Sequence, residues 1–281
     1  MAQTINTNIM SLTAQRNLSR SQSVMATAME RLSSGLRVNS AKDDAAGLAI
    51  AERMNTQVRG MGVALRNAND GISLAQVAEG GLNEIGNMLQ RMRELAVQSA
   101  NGTNGLNDRK NLDEEFKALG AEIERIADTT TFNGRAIVGT SAGQFQFQIG
   151  ANQGQTLSIT TVDITTGSGV ASLLTASLAG ASATEGASLA NTAIGLLDVA
   201  IDTVTTQRAT YGAAQSRFGS AINNLQIGME NQAAARGRII DADFAVETAA
   251  LTRSQILQQA GTAMVSQANS APQSVLSLLG N

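Results

Sequence analysis

A seam of apolar residues runs almost unbroken through positions 194–229: Ile194, Leu197, Ile201, Val204, Arg208, Tyr211, Gln215, Phe218, Ile222, Leu225 and Met229. Steps of three and four residues alternate, and only Arg208 and Gln215 are polar. This heptad spacing keeps one face of a long helix against a partner helix. At about 1.5 Å per residue the helix reaches roughly 50 Å, too long for a compact globule. Its partners lie elsewhere in the chain. Val58, Leu65, Ile72, Ala75, Leu82, Ile85, Leu89, Met92 and Ala96 repeat the pattern, which ends at the Asn- and Gly-rich "SANGTNGLND" of residues 99–108. A shorter helix follows with Leu112, Phe116, Leu119, Ile123 and Ile126 on one face. Together they predict a mainly α fold, an elongated coiled-coil-like helical bundle.

The period changes between residues 131 and 163. "QFQFQI" (144–149) alternates apolar and polar residues, "TLSITTV" (156–162) is β-branched, and "GANQG" between them supplies a turn. This predicts a β-hairpin, with "RAIVG" (135–139) as a candidate extension. Residues 165–190 are rich in Gly, Ala, Ser and Thr and read as a short surface loop. Both ends are striped as well. Ile5, Ile9, Leu12, Leu18, Met25, Met29, Leu32 and Leu36 mark the first segment, and Phe244, Leu251, Leu257, Met264, Ala268, Ala271, Val275 and Leu279 the last. Such stripes need a partner or stay poorly ordered, and the two lie where they can pair with each other. The expected organisation is a terminal helical domain (1–42 plus 237–281), a helical core with the hairpin (43–164 plus 191–236), and the variable loop 165–190.

Composition removes whole classes of chemistry. The chain has no Cys and no His, which excludes thiolate nucleophiles, disulfides, Cys/His zinc sites and a Ser–His–Asp triad. A net charge of −3 gives no case for nucleic acid, and no window approaches the ~18 apolar residues of a membrane span. Residues 1–22 lack the pattern of a cleavable secretory signal. The remaining question is whether carboxylates do chemistry. Asp43 and Asp44 stand side by side in "RLSSGLRVNSAKDDAAGLAIAERM" (31–54). Ser40 to Asp43 fits a capping box, so the stretch reads as a joint: one helix ends near Gly35 and another begins after Ser40. Asp113, Glu114 and Glu115 likewise read as caps at a helix start. No enzyme mechanism, cofactor or metal is expected. On the helix of residues 89–105, Gln90, Arg91, Glu94 and Gln98 face away from the seam, and Arg91 with Leu95 offers an amphipathic contact patch.

Several long motifs occur in a fixed order: "INTN" (5–8), "LSSGLRVNSAKDDAAGLAIAERM" (32–54), "DGISLAQVAEGGLNEIGNMLQRMRELAVQSANGT" (70–103), "TTFNG" (130–134), "RFGSAINNL" (217–225), "DADFAVE" (241–247) and "SVLSLL" (274–279). On these the chain resembles the bacterial flagellins, in a minimal form with no large outer domain. The resemblance implies a self-assembling subunit of the extracellular flagellar filament, a homo-oligomer that serves swimming. Its terminal helices would line the inner tube, and the hook–filament junction proteins are the alternative. It also implies secretion through the flagellar type III channel, an export chaperone on the C-terminal helices, and contacts with flagellar cap and junction proteins. A host Toll-like receptor would recognise Gln90, Arg91, Glu94, Leu95 and Glu115. The terminal stripes, Ile5 to Leu32 and Phe244 to Leu279, would be the assembly elements.

Overall fold

A computed structural model describes residues 7–140, 142–166 and 170–279, with side chains to residue 270. The order of elements is α1 (Ile9–Ser34), α2 (Ala45–Ala100), α3 (Leu106–Thr129), β1 (Thr131–Phe132), β2 (Arg135–Ala136), β3 (Gln144–Gln148), β4 (Thr156–Thr160), α4 (Val170–Leu174), α5 (Ala183–Ile240) and α6 (Phe244–Leu279). The fold is mainly α, as the heptads require, and the chain forms two compact units. One comprises residues 57–229; the other comprises residues 1–56 with 230–281.

In the 57–229 unit, α2, α3 and α5 share one core. Leu82, Ile85, Leu89, Met92 and Ala96 of α2, with Leu197, Val204, Tyr211 and Phe218 of α5, are fully buried. The heptad of α5 departs from expectation in its polar steps. Arg208 is exposed and Gln215 half-buried, while Gln207 and Ala214 turn inward. A one-residue shift lets Ala214 replace a long polar side chain at the contact, and Gln215 instead donates to Glu79 Oε2 at 2.9 Å. α5 also contains a stretch apolar enough by composition to cross a membrane, contrary to the sequence expectation. Its Ala190, Ala193, Leu197, Ala200 and Val204 are buried at helical spacing against the bundle, one face of a bundle helix whose other faces, Val199 among them, stay exposed. Gly71 leaves room for the Phe218 ring of α5 against α2: a Cβ there would lie 2.6 Å from Phe218 Cζ. Phe218 in turn meets Phe147 of β3 edge-on, with ring centroids 5.5 Å apart. Burial pushes the pKa of the single tyrosine, Tyr211, up to about 12.

The β region holds two hairpins rather than one extended ladder. Asn133 (φ 50°) and Gly134 (φ 75°) adopt the positive φ angles of a tight two-residue turn. That turn folds Arg135–Ala136 back on Thr131–Phe132, so "RAIVG" does not extend the second hairpin. β3 and β4 pair from Gln144↔Thr160 to Gln148↔Thr156, which places Leu157 and Ile159 on the buried face. Residues 165–190 are not simply a surface loop either. Val170 and Leu173 of α4 and Leu178 beyond it are buried, and α5 already begins at Ala183.

In the other unit, α1 packs along α6. The seam uses Ser11, Ala14, Leu18, Ser21, Met25 and Ala28 of α1, and Glu247, Leu251, Ser254, Gln258, Gly261, Val265 and Ala268 of α6, all buried or half-buried. Small side chains permit close approach: a Cβ on Gly261 would lie 3.1 Å from Leu18 Cδ1. Polar groups fix the register. Asn8 Nδ2 donates to the Ala268 carbonyl at 2.7 Å, Ser11 Oγ to Asn269 Oδ1 at 2.6 Å, and Arg31 pairs with Glu247 at 3.0 Å.

Candidate functional site

The joint between α1 and α2 is built by local chemistry and by a second helix interruption. Gly35 (φ 70°) ends α1 in the left-handed conformation, its N–H donating to the Arg31 carbonyl. The other interruption, between α5 and α6, lies beside it. Leu36 bridges Asp241, Arg37 N donates to the Ile240 carbonyl at 2.6 Å, and Ala242 N to the Gly35 carbonyl at 2.9 Å. Val38, Ala51 and Ile240 close a small apolar cluster there. The capping residue differs from the sequence reading. Ser40 does not start α2; Asp43 Oδ2 instead accepts from Asn39 N, Ser40 N and Ser40 Oγ within a turn. Those bonds, the Ser40 N–H first, hold the Asp43 carboxyl below its ordinary pKa. Asp44 is the cap: its Oδ1 accepts from Gly47 N at 2.8 Å, and its carbonyl from Leu48 N at 3.0 Å. Both carboxylates serve backbone N–H groups. Among the described residues no group of three or more acidic side chains is placed to hold a metal ion.

The acidic run on α3 also has another use. α3 starts at Leu106, so Asp113 sits mid-helix and inside. Its carboxylate accepts from Leu178 N at 2.6 Å, Ser177 Oγ at 2.9 Å and Lys117 Nζ at 2.6 Å. Burial pushes its pKa up, but these three partners outweigh it and hold the carboxyl below the ordinary value. One turn earlier the buried Arg109 donates to the carbonyls of Asn101 and Asn104. The buried row on α3 is Arg109, Asp113, Phe116, Gly120, Ile123 and Ala127, with Leu112, Leu119 and Ile126 half-buried beside it. Its steps of four and three were present in the sequence. They stay hidden to a search for apolar residues alone, because two of the positions are charged.

On the solvent side of α2 and α3, Arg91 holds a carboxylate on each helix. Nη1 meets Glu94 Oε2 at 2.9 Å and Nη2 meets Glu115 Oε1 at 2.8 Å. The Glu94 hydrogen bond, then Glu115, push the Arg91 pKa further up. Gln90, Arg91, Glu94 and Glu115 are all exposed. Leu95, grouped with them from sequence, is only 1 % exposed and belongs to the core. It falls on the inner face beside Met92 and Ala96, so its side chain presents no surface.

The terminal stripes separate into two faces. Leu18, Met25, Leu32 and Leu251 are half-buried. Ile9, Leu12, Phe244, Leu257 and Met264 point outward, Ile9 and Phe244 each 68 % exposed. Met10, Val246 and Ile256, absent from the expected stripes, join them. Their signal was the leftover one: large hydrophobes flanking a seam of small residues. Ile5 lies outside the described residues, and Val275 and Leu279 lie where side chains are outside them. The α1–α6 pair thus buries its small residues with Leu18, Met25 and Leu251 half-covered among them, and leaves Ile9, Leu12, Phe244, Leu257 and Met264 on the surface.

Comparison with known proteins agrees with these features. Residues 5–142 match the bacterial flagellin N-terminal helical region, and residues 194–279 match the bacterial flagellin C-terminal helical region. The chain is 46 % identical to a flagellin of Halalkalibacterium halodurans over 277 residues, covering 98 % of this chain and 99 % of that one. It is 38 % identical to flagellin A of Vibrio anguillarum over 378 aligned positions, covering 99 % and 100 % of the two chains. The second alignment exceeds the 281 residues of this chain, so the Vibrio protein carries inserted sequence that is absent here. The crystal structure of Bacillus cereus flagellin superposes with a TM-score of 0.49 at 35 % identity, covering 57 % of this chain and 88 % of that one. Paired terminal helices, a helical core and matching sequence at both ends lead to one assignment: the chain belongs to the bacterial flagellin family, in a minimal form, as a subunit of the flagellar filament.

Proposed function

We propose that copies of this chain polymerise through the outward apolar faces of α1 and α6, with the terminal pair lining the inner tube and the helical core around it. One observation carries this reading. Ile9, Met10, Leu12, Phe244, Val246 and Ile256 are each more than half exposed on a pair whose seam is made by other residues of the same two helices. Burying one such side chain is worth about 1.5–3 kcal/mol, and an open chain of identical heterologous contacts extends as a filament. The role is structural, with swimming as its purpose and no catalytic step. The chain leaves the cell by the flagellar export channel; absence of cysteine and a single proline suit a chain threaded unfolded. Cap, junction and chaperone partners follow from the same family reading. The test is seeded assembly of the full chain, followed by electron microscopy, beside a chain lacking residues 1–40 and 245–281 and an Ile9→Ser/Ile256→Ser variant. Only the full wild-type chain is expected to form long tubes. A full chain that stays monomeric under seeding overturns this reading and favours a junction protein.

A second reading rests on the exposed Arg91 cluster within "LQRMRELAVQ". A host Toll-like receptor for flagellin docks on Gln90, Arg91, Glu94 and Glu115, with Leu95 acting only from beneath. Arg91→Ala is expected to weaken receptor binding at unchanged stability; unaltered binding refutes it.

A further inference from the structure

Ten methionines occur in the chain, and their exposure is unevenly distributed. Among the described residues only Met10 (70 %), Met29 (49 %) and Met264 (63 %) are exposed, and all three lie on the terminal pair. Met25, Met54, Met61, Met88 and Met229 are half-buried, and Met92 is sealed in the core. Met10 and Met264 also share a location. Both line the groove between α1 and α6, together with Ile9, Leu18, Leu257 and Gly261. Thioether oxidation follows access, so these are the sulfurs an oxidant in solution meets first.

We infer that Met10 and Met264 form a modification site for two-electron oxidants, hydroperoxides or hypohalous acids, and that their oxidation removes the chain from assembly. With hydrogen peroxide, a sulfur lone pair attacks one peroxide oxygen and the O–O bond breaks. The other oxygen leaves as hydroxide and takes the proton of the oxygen now bonded to sulfur, giving water and the sulfoxide, with sulfur oxidised by two electrons and the peroxide reduced by two. The product places a polar, hydrogen-bond-accepting S=O on a face that assembly buries, where an unpaired acceptor is unfavourable. The lesion is reversible, because methionine sulfoxide reductases restore the thioether. This inference rests on the filament reading above.

The experiment oxidises wild-type monomer with hydrogen peroxide, maps oxygen uptake by peptide mass spectrometry, and follows seeded assembly by sedimentation and microscopy. Met10→Leu/Met264→Leu is treated in parallel, since Leu matches Met in volume. Oxygen is expected on Met10 and Met264 at least about tenfold faster than on Met92. Oxidised wild type is expected to need at least roughly tenfold more monomer to assemble, with recovery after reductase treatment. The Leu variant is expected to assemble equally well before and after peroxide. Normal assembly of wild type carrying both sulfoxides overturns the inference alone, as does equal peroxide sensitivity of the Leu variant. Should the Leu variant itself not assemble, reductase recovery of oxidised wild type decides: recovery supports the inference and its absence overturns it. Failure of untreated wild type to form tubes overturns the filament reading, and this inference with it.

Discussion

Asp113→Ala tests whether the segment before α5 is held by one carboxylate. The side chain is buried at 8 % relative exposure and accepts from Leu178 N, Ser177 Oγ and Lys117 Nζ. Truncation leaves the Leu178 N–H buried without an acceptor, at about 1–3 kcal/mol. The lost Ser177 bond, made to a charged acceptor, adds about 1.5 kcal/mol or more. Lys117 contributes little, because its side chain is 55 % exposed and freed lysine returns to water. Against these losses stands the desolvation of the carboxylate, which truncation relieves. The expected net loss is about 2–4 kcal/mol, read from urea unfolding, while Lys117→Ala costs less than about 1 kcal/mol. Hydrogen exchange at the Leu178 amide rises in the first variant and not in the second. The carboxyl pKa is lower in the folded chain than in the unfolded one. Its stabilisation is therefore complete above the unfolded value, about 3.9, and fades as pH falls through the folded value. The advantage of wild type over Asp113→Asn shrinks across that acidic window. A loss below about 1 kcal/mol for Asp113→Ala, or an advantage over Asn that grows on acidification, refutes the reasoning.

Two further outcomes are expected within the core. Gly71→Ala drives a methyl group against Phe218 Cζ; overpacking costs about 1–3 kcal/mol, partly offset by the roughly 1 kcal/mol helix preference of Ala. A double-mutant cycle checks this, since Phe218→Leu makes room and Gly71→Ala then becomes neutral or stabilising. Leu95→Ala is expected to lower stability by about 2–5 kcal/mol, whereas Arg91→Ala, on an exposed ion pair, changes it by less than about 1 kcal/mol. Equal unfolding midpoints for these two variants would contradict the burial of Leu95.

The long helices were legible because apolar side chains at heptad spacing carry their own signal, as Leu82, Ile85 and Leu89 do opposite Leu197 and Val204. Features set by polar side chains were harder to read. Ser40 and Asp44 both qualify as helix caps by residue type, and Asp44 is the one whose side chain meets a first-turn N–H of α2, that of Gly47. Arg109 and Asp113 enter the core because each meets backbone groups of a loop, which local spacing does not announce. Bulk alone does not mark the contact face of the terminal stripes. In the α1–α6 pair Ala28, Ser254 and Gly261 allow close approach beside the half-buried Leu18, Met25 and Leu251, while Ile9, Phe244 and Met264 point outward. Leu95 is hard to place by spacing, because it lies between exposed Glu94 and buried Ala96, where a one-residue difference on a helix decides the face.

With no tryptophan and one tyrosine, the chain carries a built-in single-site optical reporter. Tyr211 lies 1 % exposed in the core of the 57–229 unit, and its phenol resists ionisation to about 12. Tyrosinate absorbance in mild alkali therefore signals opening around one ring in α5, with no second tyrosine to blur the reading. The terminal pair holds neither tyrosine nor tryptophan. Events there leave the tyrosinate band unaltered while changing light scattering, so one cuvette separates unfolding of the core from association of the ends.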